Sequence, residues 1–316
     1  MHKYIFKRLL LMIPVLIGVT FLVFFILSLT PSDPAAIILG DGATNEAIAA
    51  LREEMGLNDP LLVRYFRFLS NAVRGDLGLS YRNSLPVMPL VLERIPATAM
   101  LASAAILIAL LIGIPAGIIS AKKQYSFVDY LTTVIALIGV SMPVFWLGLL
   151  LVMLFSLNLG WLPSQSLDTT TFGTTIKSLI LPAFTLGASS AATVARMTRS
   201  SMLEVIRQDY IATARAKGLT ERKVTRKHMI SNALIPIITA VGLQFGFLLG
   251  GSVLTETVFS WPGLGRLMID SIKAKDIPLV LGSILFLAIM FSVVNLLVDI
   301  IYAFVDPRIK SQYSSH

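Results

Sequence analysis

The sequence predicts an all-α integral membrane protein with six transmembrane helices and a small helical extracytoplasmic insertion between the first and second. Three observations lead there. Of 316 residues, 55% are hydrophobic and only 14% charged, and the mean hydropathy is +0.80. A soluble domain carries about 25% charged residues, so this chain has too few charges to cover a surface facing water. The apolar residues gather into charge-free runs as long as a bilayer is thick, which takes about 20 residues of helix. Lysine and arginine concentrate on alternate connections between those runs, as the positive-inside rule requires. The net charge of +8 is therefore read as inside-loop lysine and arginine, with membrane lipid and no nucleic acid as the surrounding partner. No cysteine is present, which excludes disulfides, thiolate metal sites and a cysteine nucleophile.

The spans follow in order. Leu9 to Leu29 carries no charge. It is too long for the apolar core of a signal peptide, and Ser28-Leu29-Thr30-Pro31 is a poor cleavage site. Thr98 to Ala121 is the second uncharged run. Tyr130 to Trp161 is longer than one span needs, so part of it must leave the bilayer. Ser178 to Ala195 is short and rich in small residues. Met229 to Thr255 is uncharged, and so is Ile277 to Val298, with an apolar tail to Val305 after Asp299. With the N-terminus inside, the inside pieces hold sixteen lysines and arginines and the two short outside loops hold four. Both termini are thus expected in the cytoplasm.

This layout divides the chain into a cytoplasmic N-terminus with the first helix (1–30) and an extracytoplasmic helical segment (31–96). A five-helix core (97–305) with a basic cytoplasmic loop (200–230) follows, then a cytoplasmic tail (306–316). Within 31–96, Asp59 is expected as N-cap with Pro60 at the first helical position. Leu61, Tyr65, Phe68 and Ala72 then follow near helical spacing, and Gly75 is the stop. Glu46 to Met55 reads as another short helix with Ile48, Leu51 and Met55 on one face.

Catalytic chemistry finds little support. His2, His228 and His316 all lie outside the expected spans, which argues against an intramembrane Ser-His protease, a haem bundle and a histidine-lined metal channel. No G-x-x-x-x-G-K-[ST] loop is present to cradle phosphate. Glu256 and Asp299 lie near span ends, where a side chain reaches headgroups, and their roles stay open. Gly242, Gly246 and Gly250 recur every four residues, and Gly113 and Gly117 make one such step. Small residues at that spacing let helix backbones approach closely. The fifth-helix stripe serves either packing within the chain or a pathway or subunit interface. Pro14, Pro115, Pro143, Pro182 and Pro236 fall within spans, where kinks are tolerated if neighbours satisfy the freed carbonyls.

The basic loop has a character of its own. Asp209 to Lys217 is a short helix candidate closed by Gly218. Ala212 and Ala216 stack on one side, and Tyr210 and Ala214 on another. Alanines on an exposed short helix leave room for a partner. Thr220 is placed to cap a second basic helix that leads into the fifth span.

At this loop the sequence resembles the type I ABC importer permeases, whose loop motif runs E-A-A, three residues, Gly, nine residues, Ile-x-Leu-Pro. Ala212-Thr213-Ala214 stands where E-A-A would be, and Gly218 follows at the right spacing. Alanine replaces the glutamate, and Leu234-Ile235-Pro236 comes five residues later than the general pattern. Both departures are similar to the peptide-type branch, with its T-A-R-A-K-G and N-A-L-I-P strings. Further matches lie at Phe6 to Leu10 with Ile13-Pro14, Asp33-Pro34-Ala35, Met55 to Leu61, and Gly75-Asp76-Leu77-Gly78. They continue at Arg94 to Thr98, Phe259 to Arg266, and Asp306-Pro307-Arg308. Nearly the whole chain resembles the first permease subunit of dipeptide/oligopeptide/nickel importers.

The resemblance implies a six-helix type I permease fold in a bacterial or archaeal cytoplasmic membrane. It implies a homologous second permease subunit, two cytoplasmic ATPase subunits that bind ATP and Mg, and an extracytoplasmic solute-binding protein. No cofactor is expected in this chain. Asp209, Tyr210, Ala212, Thr213, Ala214, Arg215, Ala216, Lys217 and Gly218 become the expected ATPase-coupling segment. Peptides, nickel chelates and glutathione are all possible cargoes. A self-sufficient channel or secondary transporter is the alternative.

Overall fold

The computed structural model describes residues 2–29, 33–40 and 42–305. Among them the regular structure is helical, with one isolated antiparallel bridge between Leu79 and Pro86. The helices are α1 (His2–Ser28), α2 (Pro34–Leu39), α3 (Asn45–Glu54), α4 (Leu61–Val73), α5 (Val87–Lys122), α6 (Phe127–Ser141) and α7 (Val144–Leu151). They continue as α8 (Phe172–Ile206), α9 (Asp209–Ala216), α10 (Glu221–Lys223), α11 (Ser231–Gly251), α12 (Val253–Val258), α13 (Leu264–Lys273) and α14 (Ile277–Val305). The expected tail 306–316, with Asp306-Pro307-Arg308, lies outside the described residues.

Among the described residues, five stretches are long and apolar enough to cross a membrane: Ile5–Ser28, Val87–Lys122, Phe172–Ile206, Glu221–Gly250 and Ile277–Ile301. A sixth arises only if α6 and Val144–Asn158, bent by 102° at their junction, count together. The run Tyr130 to Trp161 is therefore broken, and its proline is the reason. Met142 precedes Pro143, whose ring clashes with a helical residue before it, and Met142 is extended at ψ 127°. The short run Ser178 to Ala195 is the middle of α8, which is 35 residues long. α5 begins at Val87 and takes in Glu93, Arg94 and Pro96, so the last turns of the 31–96 segment belong to a long helix.

The chain forms two compact units. One comprises Ala99–Trp261 with α14 from Phe291, the other Phe6–Thr98 with Pro262–Met290. In the second unit, α4 seats on α1 through Tyr65. Its hydroxyl donates to the Ile17 carbonyl at 2.7 Å and lies 3.0 Å from the Thr20 hydroxyl. Phe21, Phe24 and Phe68 surround its ring at 5.1–6.5 Å. Asp59 does not cap α4; its carboxylate takes a hydrogen bond from Arg67, and no side chain caps the helix. The expected α4 stop holds, with Gly75 at φ +84°. Thr44, through its hydroxyl, caps α3. Leu77, Val87, Val91, Leu264 and Leu279 form a further core beside this aromatic cluster.

In the first unit α8 is the centre, with 67% of its most apolar window buried. Its neighbours reach it through missing side chains. A Cβ on Gly113 would lie 2.7 Å from the Ala191 carbonyl oxygen, one on Gly117 2.5 Å from that of Ala195, and one on Gly187 2.9 Å from that of Ala105. The stripe on α11 divides. A Cβ on Gly242 would run into the Val298 side chain, and one on Gly246 would come within 3.0 Å of Phe291. Gly250 has nothing within 4 Å. Two of the three glycines thus pack against α14 of this same chain, and only Gly250 leaves its face open.

Gly117→Ala should destabilise the chain by about 1–3 kcal/mol, because the added methyl meets backbone that cannot move aside. Gly242→Ala should do the same against Val298. Gly250→Ala should be neutral or stabilise by up to about 1 kcal/mol through helix propensity. Thermal unfolding of the purified chain in detergent checks the order, and equal losses at Gly117 and Gly250 would contradict it.

Candidate functional site

α8 ends at Ile206, and only Arg207 and Gln208 separate it from α9. Asp209 occupies the first turn of α9, where a carboxylate complements the helix dipole. The helix closes as its sequence predicts. Lys217 N–H donates to the Thr213 carbonyl at 3.1 Å, Gly218 N–H donates to that of Arg215 at 2.9 Å, and Gly218 takes φ +74°. That left-handed conformation costs an L-residue with a Cβ roughly 1–2 kcal/mol.

What holds α9 in place is Ile211. It is fully buried, and Ala214 beside it is 6% exposed. Both join a cluster with Ala121 of α5, Met202 and Val205 of α8, and Val224, Met229, Ala233 and Ile237 further on. Ala214 thus faces the chain's own core, which corrects the expectation that the alanines of this short helix lie open to a partner. Ile211 is the only aliphatic side chain larger than alanine between Asp209 and Gly218. With Ala214 at i+3, it was the available signal for the inward face. Tyr210 is 43% exposed, and partial burial raises its hydroxyl above the usual tyrosine range. Asp209, Ala212, Thr213, Arg215, Ala216, Lys217 and Gly218 are all exposed. Ala212 and Ala216 therefore do share an open face.

Thr220 stands at the N-cap of α10, but through its backbone. Its carbonyl accepts from Lys223 N–H at 2.8 Å, and its side chain makes no capping bond. α10 runs through a π-helical stretch, Val224–Ile230, into α11. The basic helix and the fifth span are thus one continuous rod. Arg215 donates from Nε to Glu221 Oε1 at 2.7 Å, tying α9 to α10 at the surface.

One element of the site lay outside the sequence expectations. Asp129 is buried, and Arg199 meets it with two hydrogen bonds, Nε to Oδ1 at 2.6 Å and Nη2 to Oδ2 at 2.8 Å. The Ser120 hydroxyl also donates to Oδ1, and the Tyr125 N–H donates to Oδ2 at 3.0 Å. The pair stands at the α9 end of α5, α6 and α8. A sequence signal existed: Ser126-x-x-Asp129 ahead of an apolar run is a capping pattern, and Ser126 does cap α6, accepting from the Asp129 N–H. Glu256 is fully buried on α12, with its Oε1 accepting from the Ser252 hydroxyl at 3.0 Å. Asp299 is half-buried on α14. Among the described residues, no three His, Cys, Asp or Glu side chains gather as a metal site needs.

Gly218→Val should fray α9 by about 1–2 kcal/mol through backbone strain alone, since nothing lies near the position. Gly218→Asn should cost less, because asparagine tolerates positive φ. Hydrogen exchange of the amides from Ala214 to Leu219 reads both. Unchanged protection in Gly218→Val would refute the assignment.

The family model for the binding-protein-dependent transport system inner membrane component matches residues 113–311, and its N-terminal companion matches residues 1–102. The dipeptide transport system permease protein DppB of Alkalihalophilus pseudofirmus is 47% identical over 98% of this chain and 100% of that protein. The oligopeptide transport system permease protein AppB of Bacillus subtilis is 44% identical over 98% and 100%. The glutathione transport system permease protein GsiC of Escherichia coli is 44% identical over 98% and 99%. Among solved structures, an inward-facing form of the MetNI methionine ABC transporter shares the fold. Its TM-score is 0.57 at 19% identity, covering 69% of this chain and 97% of that one. The chain belongs to the inner-membrane permease components of binding-protein-dependent transport systems, the permeases of ABC importers.

Proposed function

We propose that this chain is the first permease subunit of an importer for dipeptides, oligopeptides or a related small solute such as glutathione or a nickel chelate. It pairs with a homologous second permease and receives solute from an extracytoplasmic binding protein. Two cytoplasmic ATPases drive it; they hold the ATP and Mg, and this chain has no ATPase site of its own. Both termini and the 200–230 loop lie in the cytoplasm, and the 31–96 segment faces outside.

The observation that carries this reading is the build of α9. A helix of eight residues is marginal in water by itself. This one is anchored by Ile211 and Ala214 and leaves Ala212 and Ala216 outward. A small-sided, pre-ordered helix fits a cleft on an ATPase and loses little entropy on docking. Its anchor touches α5, α8 and α11, so displacement of α9 reaches three long helices directly. The relatives' names supply the dipeptide, oligopeptide and glutathione classes, at 44–47% identity.

The chain lacks cysteine, so single cysteines report topology cleanly. Cysteines at Gln165 and Lys273 should react with an impermeant thiol reagent in intact cells, and those at Lys123 and Arg207 only after lysis. The reverse pattern would invert the chain. Ala212→Glu places a charge on the proposed contact, where an unpaired buried charge is costly. It should weaken ATPase retention at least ten-fold, about 1.4 kcal/mol, with normal amounts of permease in the membrane. Ala214→Glu should instead disrupt the chain's own core and lower its abundance. Full transport by Ala212→Glu would exclude α9 as the docking element.

A further inference from the structure

We infer that Asp129, held by Arg199 and Ser120, is a positioning residue that makes the α9 ends of three membrane helices move as one body. The inference rests on the reading of α9 as the ATPase contact.

The geometry is convergent. Ser120 is on α5, Asp129 on α6 and Arg199 on α8, and all three meet at one carboxylate. With the Tyr125 N–H, Asp129 receives four donors, which fills the four lone-pair sites of a carboxylate. The Asp129 side chain is 4% exposed and that of Arg199 29%. The knot also adjoins the seat of α9. Ala121, next to Ser120, and Met202, three residues past Arg199, both lie in the cluster that receives Ile211 and Ala214. Force on α9 thus arrives within one helical turn of the knot on two of its three helices.

Simple packing does not call for this chemistry. A buried ion pair is replaced by apolar side chains at little or no loss of stability in many proteins. What a carboxylate and a guanidinium add is direction, because the two parallel hydrogen bonds fix the approach angle as well as the distance. The same carboxylate holds a turn against its backbone preference. Tyr125 is a non-glycine residue at φ +63°, and its N–H is bound to Asp129 Oδ2. The short link between α5 and α6 is therefore drawn into the same assembly, and α6 cannot swing at this end without breaking the pair.

The test uses the complete importer in proteoliposomes, with this chain, its partner permease, the ATPases and the binding protein, and reads solute moved per ATP hydrolysed. Asp129→Asn removes the charge, and Arg199→Lys keeps the charge but loses the fork. Both should retain ATP hydrolysis within about two-fold while solute per ATP falls about ten-fold. Transport and hydrolysis falling in proportion, or neither changing, would reduce the pair to a structural tie and overturn the inference. Ala212→Glu runs beside them. If it lowers ATPase retention while the Asp129 and Arg199 variants stay coupled, this inference alone fails. If Ala212→Glu has no effect, the reading of α9 is what has failed. Should Asp129→Asn not reach the membrane, Ser120→Ala decides. Spin labels on cysteines at Lys123 and Arg207 should hold one narrow distance with and without ATP in the parent, and a broadened one in Ser120→Ala. Equal distributions in the two chains would sink the proposal.

Discussion

The close approach of other helices to α8 is the constraint on which the first unit depends. Apolar side chains gain no hydrophobic driving force from pairing in lipid, so membrane helices associate through tight packing and hydrogen bonds. Here the packing is backbone to side chain at Gly113, Gly117 and Gly187, with Gly139 of α6 facing Ala192 at 3.1 Å for a built Cβ. Gln244 of α11 adds a hydrogen bond to the Ser190 hydroxyl at 3.1 Å. α8 thus collects α5, α6 and α11 on its faces, and its continuation past Arg207 is α9. The helix that is least apolar among the candidate spans, with mean hydropathy 1.4, is also the most buried of them at 67%. The two facts have one cause. Small and hydroxylated residues permit burial among helices, and the same residues lower hydropathy.

That coincidence explains what was legible in the sequence and what was not. Charge-free runs marked α1, α5, α11 and α14, because a lipid-facing helix must be apolar. They understated α8, since a span shielded by other helices has no such need, and Ser178 to Ala195 was only its core. They also ran together α6 and α7, where Pro143 breaks the helix without adding a charge. The ends of the short helices were readable where backbone conformation demanded it: Gly75 and Gly218 both sit at positive φ. Caps were less readable. Asp59 is a good N-cap by type, yet Arg67 one helical face away competes for its carboxylate. The 209–218 segment was legible as a short helix closed by glycine, but its orientation was harder to read. That depended on Ile211, the one large aliphatic side chain of the segment, which joins Met202 and Val224 in the core.

The segment between α1 and α5 shows a separate solution to the same problem of attachment. α4 carries the polar and apolar faces of a soluble helix, and it is tied to α1 by a tyrosine rather than by small residues. Tyr65 buries its ring among phenylalanines and sends its hydroxyl to the Ile17 carbonyl and Thr20. Burial of the aromatic ring supplies most of the attraction, and the hydroxyl fixes the register along α1. Asp276 anchors a second point, accepting from the Ser80 hydroxyl in a buried contact. Burial pushes the neighbouring Tyr81 hydroxyl up to about 12, with Arg64 opposing and Asp276 reinforcing the shift. This tyrosine stays neutral at any physiological pH.

Two kinds of contact therefore act on the same helices at different depths. Along their length, α5, α6 and α8 meet through glycine, alanine and carbonyl oxygen, which sets how near they lie but carries few directional bonds. Van der Waals contact of this kind has alternative packings of similar energy, the property that lets packed helices shift in discrete steps. At the α9 end the contact is ionic and angular, and one carboxylate binds three helices and a turn. If an ATPase docks on α9 as proposed, a displacement entering there would meet the stiff contact first and the permissive ones after it. The order would matter for a transporter. A stiff junction at the driven end would keep the helices together while their small-residue seams yield, whereas the reverse arrangement would spend the displacement on local repacking before it reached the spans.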